Sequence, residues 1–273
     1  MSDARNAVLV ADVGNTRLKL AVVEAAGPAG GMPAVARRQD LLSRDFRPAN
    51  LERWLAAAAP GPAVLLVAAV NEAAATRLEA AVAEISATRH RPIRQRRLVH
   101  AHLPVAVRVD APDRVGIDRV CAAAAAVAAR PGRPVVVVDC GTATTVDLVS
   151  PAGEFLGGAI LPGPTLLARA LAEGTSRLPE VAALDTAPPP ALPGRSTQSA
   201  IAAGIGWGMR GAVARLVVEA RAALGGAADV ILTGGSAGVV RDAIPDAVEM
   251  PDLVLAGIAL AAPRLLGPDR DPR

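Results

Sequence analysis

The chain has 273 residues, of which 52% are hydrophobic and 20% charged, so it can bury a sizeable core and is not disordered throughout. Its 29 basic and 26 acidic residues leave a net charge of +3. The sequence pI of about 9.6 therefore reflects arginine in place of lysine more than an excess of positive charge. Lys19 is the only lysine, and aromatic residues are almost absent.

Several classes of protein are disfavoured by the composition. Five arginines cluster at residues 89–97 without interleaved aromatic residues, which favours a solvated face and no nucleic-acid partner. Cys121 and Cys140 lack the spacing of a disulfide scaffold or a zinc site and are expected in the core. We find no signal peptide and no uninterrupted apolar run of membrane-spanning length, which predicts a cytoplasmic protein without a membrane partner.

The predicted elements alternate between buried strands and helices, as in α/β proteins. Strands are expected at 7–13, 18–23, 63–70, 134–139, 144–149, 157–162 and 230–233, and helices at 48–59, 72–87, 115–130 and from about 164. A β-rich stretch is expected at 102–109 and an irregular proline-rich connection at 185–196. A long helix and a final Leu/Ala-rich helix follow.

Two similar turns each follow a buried strand, one at Asp12–Thr16 near the start of the chain and one at Asp139–Thr142 near its middle. Each reads as strand, Asp-x-Gly with a polar residue, then strand. This near-repeat predicts a duplicated architecture, with a cleft between the halves as the ligand site.

The first turn has the chemistry of a phosphate site. Gly14 lets backbone N–H groups approach a phosphate closely, and Thr16 adds a hydroxyl donor. Asp12 can hold Mg²⁺ directly or through water. Lys19 is a compact charge on a flexible stem, suited to a moving phosphoryl group. An ordinary β-turn containing Asn15 is the alternative.

The second turn is richer in hydroxyl groups. Asp139 ends an apolar strand and needs a partner or a cation, because an isolated buried carboxylate is costly. Thr142, Thr144 and Thr145 can line a phosphate pocket, although a β-branched run also suits a strand. The turn at 233–236 follows a strand at a spacing that fits backing a nucleotide, as many tight turns would.

In this order the turns resemble those of the sugar kinase/Hsp70/actin superfamily, and most of the chain is similar to the type III pantothenate kinase family. The segments that match family motifs are Asp12–Thr16 with Lys19, Gly116–Arg119, Asp139–Thr145, Gly157–Gly163 and Thr175–Pro179. The resemblance implies an α/β chain with a duplicated actin-like (ribonuclease H-like) ATPase fold. It further implies two related domains, 1–115 and 116–273, with a central cleft.

The same resemblance implies ATP-dependent phosphorylation of pantothenate to phosphopantothenate, the first step of coenzyme A biosynthesis, by a homodimer using Mg²⁺ and K⁺ or NH₄⁺. It implies ATP contacts at Asp12, Gly14, Asn15, Thr16, Lys19 and Thr142, and pantothenate contacts at Gly116, Ile117, Asp118, Arg119 and Thr197. Asp118 would be the catalytic base, and Asp139 would bind the monovalent cation.

Alternatives remain at the substrate segment. Asp118 is predicted in the first turn of a helix, where the helix dipole favours its ionised form, and Arg119 suits a carboxylate. The pair also reads as a helix-capping acid beside a surface arginine. Val109 stands where the family has a substrate-contacting Tyr, and Ala111 where it has Asn, while Pro112 is retained. A kinase of another small hydroxyl compound, or a non-catalytic accessory protein, is therefore a rival hypothesis.

Overall fold

The computed structural model describes residues 7–24, 31–181 and 189–266. Within them the chain forms two compact units. The first unit contains the chain as far as Ala106, then Asp110–Ala129, and the residues from Asp252 onward. The second contains Val107–Val109 and Arg130–Pro251.

The elements alternate as expected of an α/β chain. The strands are β1 (Ala7–Val13), β2 (Arg17–Glu24), β3 (Ala34–Leu42), β4 (Ala63–Ala69), β5 (Ile93–Arg97), β6 (Ala106–Val107), β7 (Val135–Cys140), β8 (Ala143–Val149), β9 (Glu154–Pro162), β10 (Asp229–Thr233) and β11 (Val248–Glu249). The helices are α1 (Pro48–Ala58), α2 (Glu72–Thr88), α3 (Ile117–Ala129), α4 (Pro164–Glu173), α5 (Thr197–Ala223), α6 (Leu253–Ala259) and α7 (Ala262–Leu266).

The sheet of the first unit has the strand order β3-β2-β1-β4-β5. Strands β1, β2 and β3 are antiparallel neighbours, and β4 and β5 run parallel to β1. Central strands β1 and β4 are continuous apolar runs because helices cover both faces of such a sheet. Leu9, Leu65 and Leu78 are fully buried in this core.

The sheet of the second unit repeats that order. It reads β11-β10-β7-β8-β9-β6, so β9-β8-β7-β10-β11 corresponds to β3-β2-β1-β4-β5. Strands β7, β8 and β9 are antiparallel, and β10 runs parallel to β7. The duplication predicted from the two turns is confirmed at the level of sheet topology.

Most predicted elements are confirmed, but three strands were missed. Strands β3 and β5 contain many charged residues, and β11 has two residues, so none of them shows a buried apolar run. The predicted β-rich stretch at 102–109 is wrong in part, since it holds the end of a 3-10 turn at His100–His102 and the short β6. Residues 182–188, which include the start of the proline-rich connection, lie outside the described residues.

The arginine-rich segment 89–97 includes the edge strand β5. Arg97 pairs with Glu72 and Glu79 of α2, and Arg89 pairs with Glu52 of α1. Arg91 donates to the carbonyl of Leu55 at 2.6 Å. Arg96 donates to the carbonyl of Gln95 at 3.3 Å. Four of the five arginines therefore have protein partners, which supports a solvated and internally paired basic face.

Helix α5, with 27 residues, is the long helix predicted after the proline-rich connection. By length and composition alone it could cross a membrane, although 44% of its most apolar window is buried inside the second unit. Its buried side chains include Ile201, Ile205, Met209 and Val213, which pack in the core of that unit. This is also the pattern of a core helix that is solvated on its other face.

Helices α3 and α6 cross closely in the first unit. A Cβ atom at Gly257 of α6 would lie 1.9 Å from the carbonyl oxygen of Cys121 in α3, so only glycine permits this approach. The predicted domain boundary after residue 115 differs from the compact grouping, because the packing of α6 on α3 keeps both helices in the first unit.

Replacing Gly257 by alanine should overpack this crossing. We expect Gly257→Ala to lower the free energy of unfolding by about 1–3 kcal/mol, the usual cost of overpacking a core, as measured by chemical denaturation. Gly211→Ala in α5 is the control, since no atom lies within 4 Å of its new Cβ; it should gain roughly 1 kcal/mol of helix propensity. Equal effects of both substitutions would contradict the close crossing.

The turn that contains His100–His102 is held by two side chains. The N–H of Val99 donates to Nδ1 of His102 at 3.1 Å. Nη1 of Arg264 in α7 donates to the carbonyl oxygens of Ala101 and Leu103 at 2.9 and 2.8 Å. Burial, and secondly the charge of Arg264, lower the pKa of His102 from its ordinary value of 6.5.

Acid should weaken this turn, because protonated Nδ1 cannot accept a hydrogen bond. The folded pKa is below 6.5, so the unfolded chain binds the proton first and stability falls as pH drops below 6.5. His102→Asn keeps an acceptor and does not titrate. We expect its unfolding free energy to fall less than that of the natural protein between pH 7.5 and about 5; identical pH slopes would contradict the assignment.

Candidate active site

Asp12 and Lys19 form a partly buried ion pair in the first unit. The antiparallel register of β1 and β2 places Asp12 directly opposite Lys19, with Nζ 3.5 Å from Oδ2. Asp12 is 7% exposed, and burial raises the pKa of its carboxyl group while the charge of Lys19 opposes that rise. The single lysine of the chain therefore compensates a buried carboxylate at the end of a central strand.

The turn between these strands exposes the residues expected to contact ATP. Gly14 N–H donates to the carbonyl of Arg17 at 3.0 Å, and a Cβ at Gly14 would lie 3.1 Å from that oxygen. Asn15 and Thr16 project from the turn and are exposed. The turn thus presents polar groups to solvent on a tightly closed backbone.

Ser43 holds the turn through two hydrogen bonds, and the sequence analysis did not identify it. Its side chain is fully buried, its Oγ donates to the carbonyl of Gly14 at 2.7 Å, and its N–H donates to the carbonyl of Thr16 at 3.0 Å. A serine just after an edge strand carries no local signal of this role. Only the pairing of β2 with β3 brings it to the turn.

Asp118 lies in the first turn of α3. Its Oδ1 accepts the N–H of Arg119 at 2.8 Å, a local bond typical of a helix start. A Cβ at Gly116 would lie 2.5 Å from Oδ1, so the carboxylate rests against the glycine backbone. The Gly-x-Asp spacing therefore fixes where the carboxylate can lie.

The Asp118 carboxylate lies close enough to Asp12 to affect its pKa. After burial and Lys19, the charge of Asp118 is the next influence on Asp12 and raises its pKa. Burial raises the pKa of the Cys121 thiol well above its ordinary value, and the charges of Asp12 and Asp118 add to the rise. Asp12, Lys19 and Asp118 thus form one cluster of two carboxylates and a lysine. The buried thiol of Cys121 is close enough to both carboxylates to feel their charge.

The second unit has its own tight cluster of turns at the end of β7. Gly163 N–H donates to the carbonyl of Thr142 at 2.9 Å, and a Cβ at Gly163 would lie 2.3 Å from the carbonyl oxygen of Gly141. Gly234 has a φ of +96°, and a Cβ there would lie 2.5 Å from Oδ1 of Asp139. Three glycine turns therefore meet around Asp139.

Cys140 at the end of β7 is buried, as predicted. Burial, and secondly the charge of Asp139, raise the pKa of its thiol to about 12, which leaves the thiol protonated at neutral pH. Its carbonyl oxygen accepts the N–H of Ser236 at 2.8 Å. The residue serves packing and turn geometry, and the turn at 233–236 is joined directly to β7.

Thr197 and Val109 also lie in the second unit. Thr197 begins α5 after the cap residue Ser196 and borders an apolar cavity of about 530 Å³ between α4 and α5. Val109 lies beside β9, where a Cβ at Gly157 would be 3.3 Å from its Cγ1. The predicted site residues of the first unit are Asp12, Gly14, Asn15, Thr16, Lys19 and Gly116–Arg119, and those of the second are Val109, Asp139, Thr142 and Thr197.

Side-chain groups that could bind a metal ion are scattered in this structure. In the described part of the chain, no group of three or more His, Cys, Asp or Glu side chains is arranged to hold a metal ion. Cations can also be held by oxygen atoms of a substrate, of the backbone or of water. Magnesium sites of that kind take only one or two carboxylates from the protein.

Comparison with known proteins identifies relatives of one kind. A family model described as type III pantothenate kinase matches residues 8–219. The chain is 45% identical over 167 residues to a type III pantothenate kinase of Rhodopirellula baltica, covering 59% of each chain. It is 43% identical over 161 residues to that of Thermomicrobium roseum, covering 58% of this chain and 60% of the relative. The alignments thus span about three fifths of the relatives' length.

Two solved structures share the fold. One is described as a Baf family transcriptional activator from Campylobacter jejuni, with a TM-score of 0.57 and 18% identity over 94% of this chain and 98% of that one. The other is a 2-dehydro-3-deoxygalactonokinase protein from Sinorhizobium meliloti, with a TM-score of 0.52 and 19% identity over 97% and 99%.

The actin-like α/β fold class predicted from the sequence is confirmed by these neighbours and by the repeated sheet order. The family model covers well over half of the chain, and it includes the turns of Asp12 and Asp139 and the start of α3. The chain belongs to the type III pantothenate kinase family.

Proposed function

We propose that the protein transfers the γ-phosphoryl group of ATP to the primary hydroxyl of pantothenate, the first step of coenzyme A biosynthesis. The observation that carries this proposal is the cluster of Asp12, Lys19 and Asp118 in the first unit, within a family match over residues 8–219. A buried carboxylate and a lysine beside an exposed glycine turn suit a triphosphate.

In the proposed reaction the pantothenate hydroxyl oxygen attacks the γ-phosphorus, the bond from that phosphorus to the bridging oxygen breaks, and ADP leaves. The Asp118 carboxylate accepts the hydroxyl proton, a role that mainly orients the nucleophile because the transition state is loose. The contact of Oδ1 with Gly116 and with the Arg119 N–H supports this role, because it holds the carboxylate in one orientation.

The oxygen donors fit the proposed cations. Mg²⁺ prefers carboxylate oxygens together with phosphate and water, and Asp12 with its neighbour Asp118 offers such donors. When bound, Mg²⁺ would neutralise phosphate charge. Asp139 is proposed to hold K⁺ or NH₄⁺; its carboxylate and the carbonyl of Cys140 both approach the Gly234 turn, and hard oxygen donors of this kind suit such ions.

The remaining site assignments rest on the family motifs. Asn15, Thr16 and Thr142 are proposed to contact ATP, and Ile117, Arg119 and Thr197 to contact pantothenate. A homodimer is proposed from the family motifs as well. A cytoplasmic location is proposed with the activity.

The test is a kinase assay with the full chain, ATP, Mg²⁺, K⁺ and pantothenate, in which ADP and phosphopantothenate are measured by mass spectrometry. We expect product from the natural protein and a fall of about 10²–10⁴-fold in kcat for Asp118→Asn, the range for losing a general base. Asp45→Asn, an exposed carboxylate in a surface turn, is the control and should keep full activity.

The outcomes separate the rival hypotheses. No phosphopantothenate from the natural protein would overturn the proposal. ADP formation with another small hydroxyl compound, while pantothenate stays inert, would favour a changed substrate, which the replacement of the family tyrosine by Val109 makes worth testing. Full activity of Asp118→Asn would leave the reaction standing and overturn the role of that residue.

A second prediction concerns the single lysine. Lys19→Arg keeps the charge but puts a planar, bulkier group beside Asp12, and it cannot follow a moving phosphoryl group as a point charge does. We expect kcat to fall about 10-fold or more, since small misplacements in such sites are costly. Arg17→Lys, two residues earlier on the same strand and 56% exposed, should leave kcat unchanged. Equal kinetics for both variants would contradict the role of Lys19.

A further inference from the structure

His100 links a rigid turn to the segment that carries Asp118. Its Nε2 lies 2.9 Å from the carbonyl oxygen of Val115. A carbonyl oxygen only accepts hydrogen bonds, so Nε2 must carry a proton and donate. Val115 immediately precedes Gly116 and α3, and the imidazole therefore supplies a donor to the peptide group at the start of that helix.

The other end of this link is fixed. Arg264 donates to the carbonyls of Ala101, which follows His100, and Leu103, and His102 accepts the N–H of Val99, which precedes His100. The backbone on both sides of His100 is therefore tied down. A side chain that projects from such a turn can hold another segment in place.

The segment that leads to Val115 and α3 is exposed to solvent. Residues 110–114 are exposed, and Val115 is the first half-buried residue before α3. Helix ends open easily when their peptide groups lack partners. The bond from His100 thus lies between the exposed 3-10 turn at Pro112–Arg114 and the start of α3.

Short contacts connect the residues after Val115 to the Asp118 carboxylate. The carbonyl of Gly116 accepts the N–H of Arg119 at 3.1 Å, and Oδ1 of Asp118 accepts the same N–H at 2.8 Å. Oδ1 also rests against the Gly116 backbone. His100, Val115 and Gly116 line one cavity of about 670 Å³. Movement of the Val115 peptide would therefore move the Asp118 carboxylate.

We propose that His100 is a positioning residue that holds the Asp118 carboxylate in its working orientation through the Val115 carbonyl. This inference rests on the proposed function, because Asp118 is taken as the catalytic base. His100 itself is not assigned any contact with substrate. Its contribution is to the orientation of another residue, so it should affect turnover more than nucleotide affinity.

The test compares His100→Leu, which removes the donor, with His100→Gln, whose side-chain amide nitrogen donates from nearly the same position as Nε2. We expect His100→Leu to lower kcat by roughly 10- to 100-fold, the scale for misplacement by about 1 Å, with the KM for ATP nearly unchanged. His100→Gln should keep most of the activity. Both variants lose the imidazole ring, so a purely structural role would impair them alike.

Hydrogen exchange of the amides at residues 116–120 gives a readout that needs no activity. Faster exchange in His100→Leu than in His100→Gln is expected, since the Leu variant frees the start of α3. Equal exchange in the two variants, or equal kcat, would overturn the proposal. If the natural protein makes no phosphopantothenate, the kinase proposal fails, and the exchange experiment alone decides whether His100 orders the Asp118 segment.

Discussion

The first unit is organised around a carboxylate that is expensive to bury. Asp12 ends a central strand with only 7% of its surface exposed, and an unpaired charge there would cost several kcal/mol. Lys19 offsets that cost from the next strand, at the position that the register of β1 and β2 dictates. Removing Lys19 would leave the Asp12 carboxylate buried without this partner, so the pair constrains both strands and the turn between them.

Much of the fold was predictable because the central strands can be recognised from their own residues. β1, β4, β7 and β10 are apolar runs that end at polar turns, and such runs identify buried strands without knowledge of their neighbours. β5 reads Ile-Arg-Gln-Arg-Arg, a charged pattern in which Ile93 is the single apolar residue. Its strand character comes from parallel pairing with β4 and from glutamates of α2, which no local window contains.

The residues of the candidate site also fall into two groups, those that short motifs identify and those that only tertiary contacts identify. Asp12, Gly14, Lys19 and Asp118 could be selected because their motifs are short and their chemistry is carried by residue type. Ser43 and His100 could not, since a serine after an edge strand and a histidine in a short turn become informative only through contacts with Gly14 and Val115. The candidate site residues were thus easier to find than the residues that contact them.

The crossing of α6 on α3 has a consequence for synthesis on the ribosome. The first unit includes residues from Asp252 onward, which are translated after the whole of the second unit. Because Gly257 lies against Cys121, the buried face of α3 stays uncovered until these late residues emerge. Contacts so distant in sequence form slowly, so the unit that begins first is completed last, and its exposed apolar face during that interval is where aggregation would start.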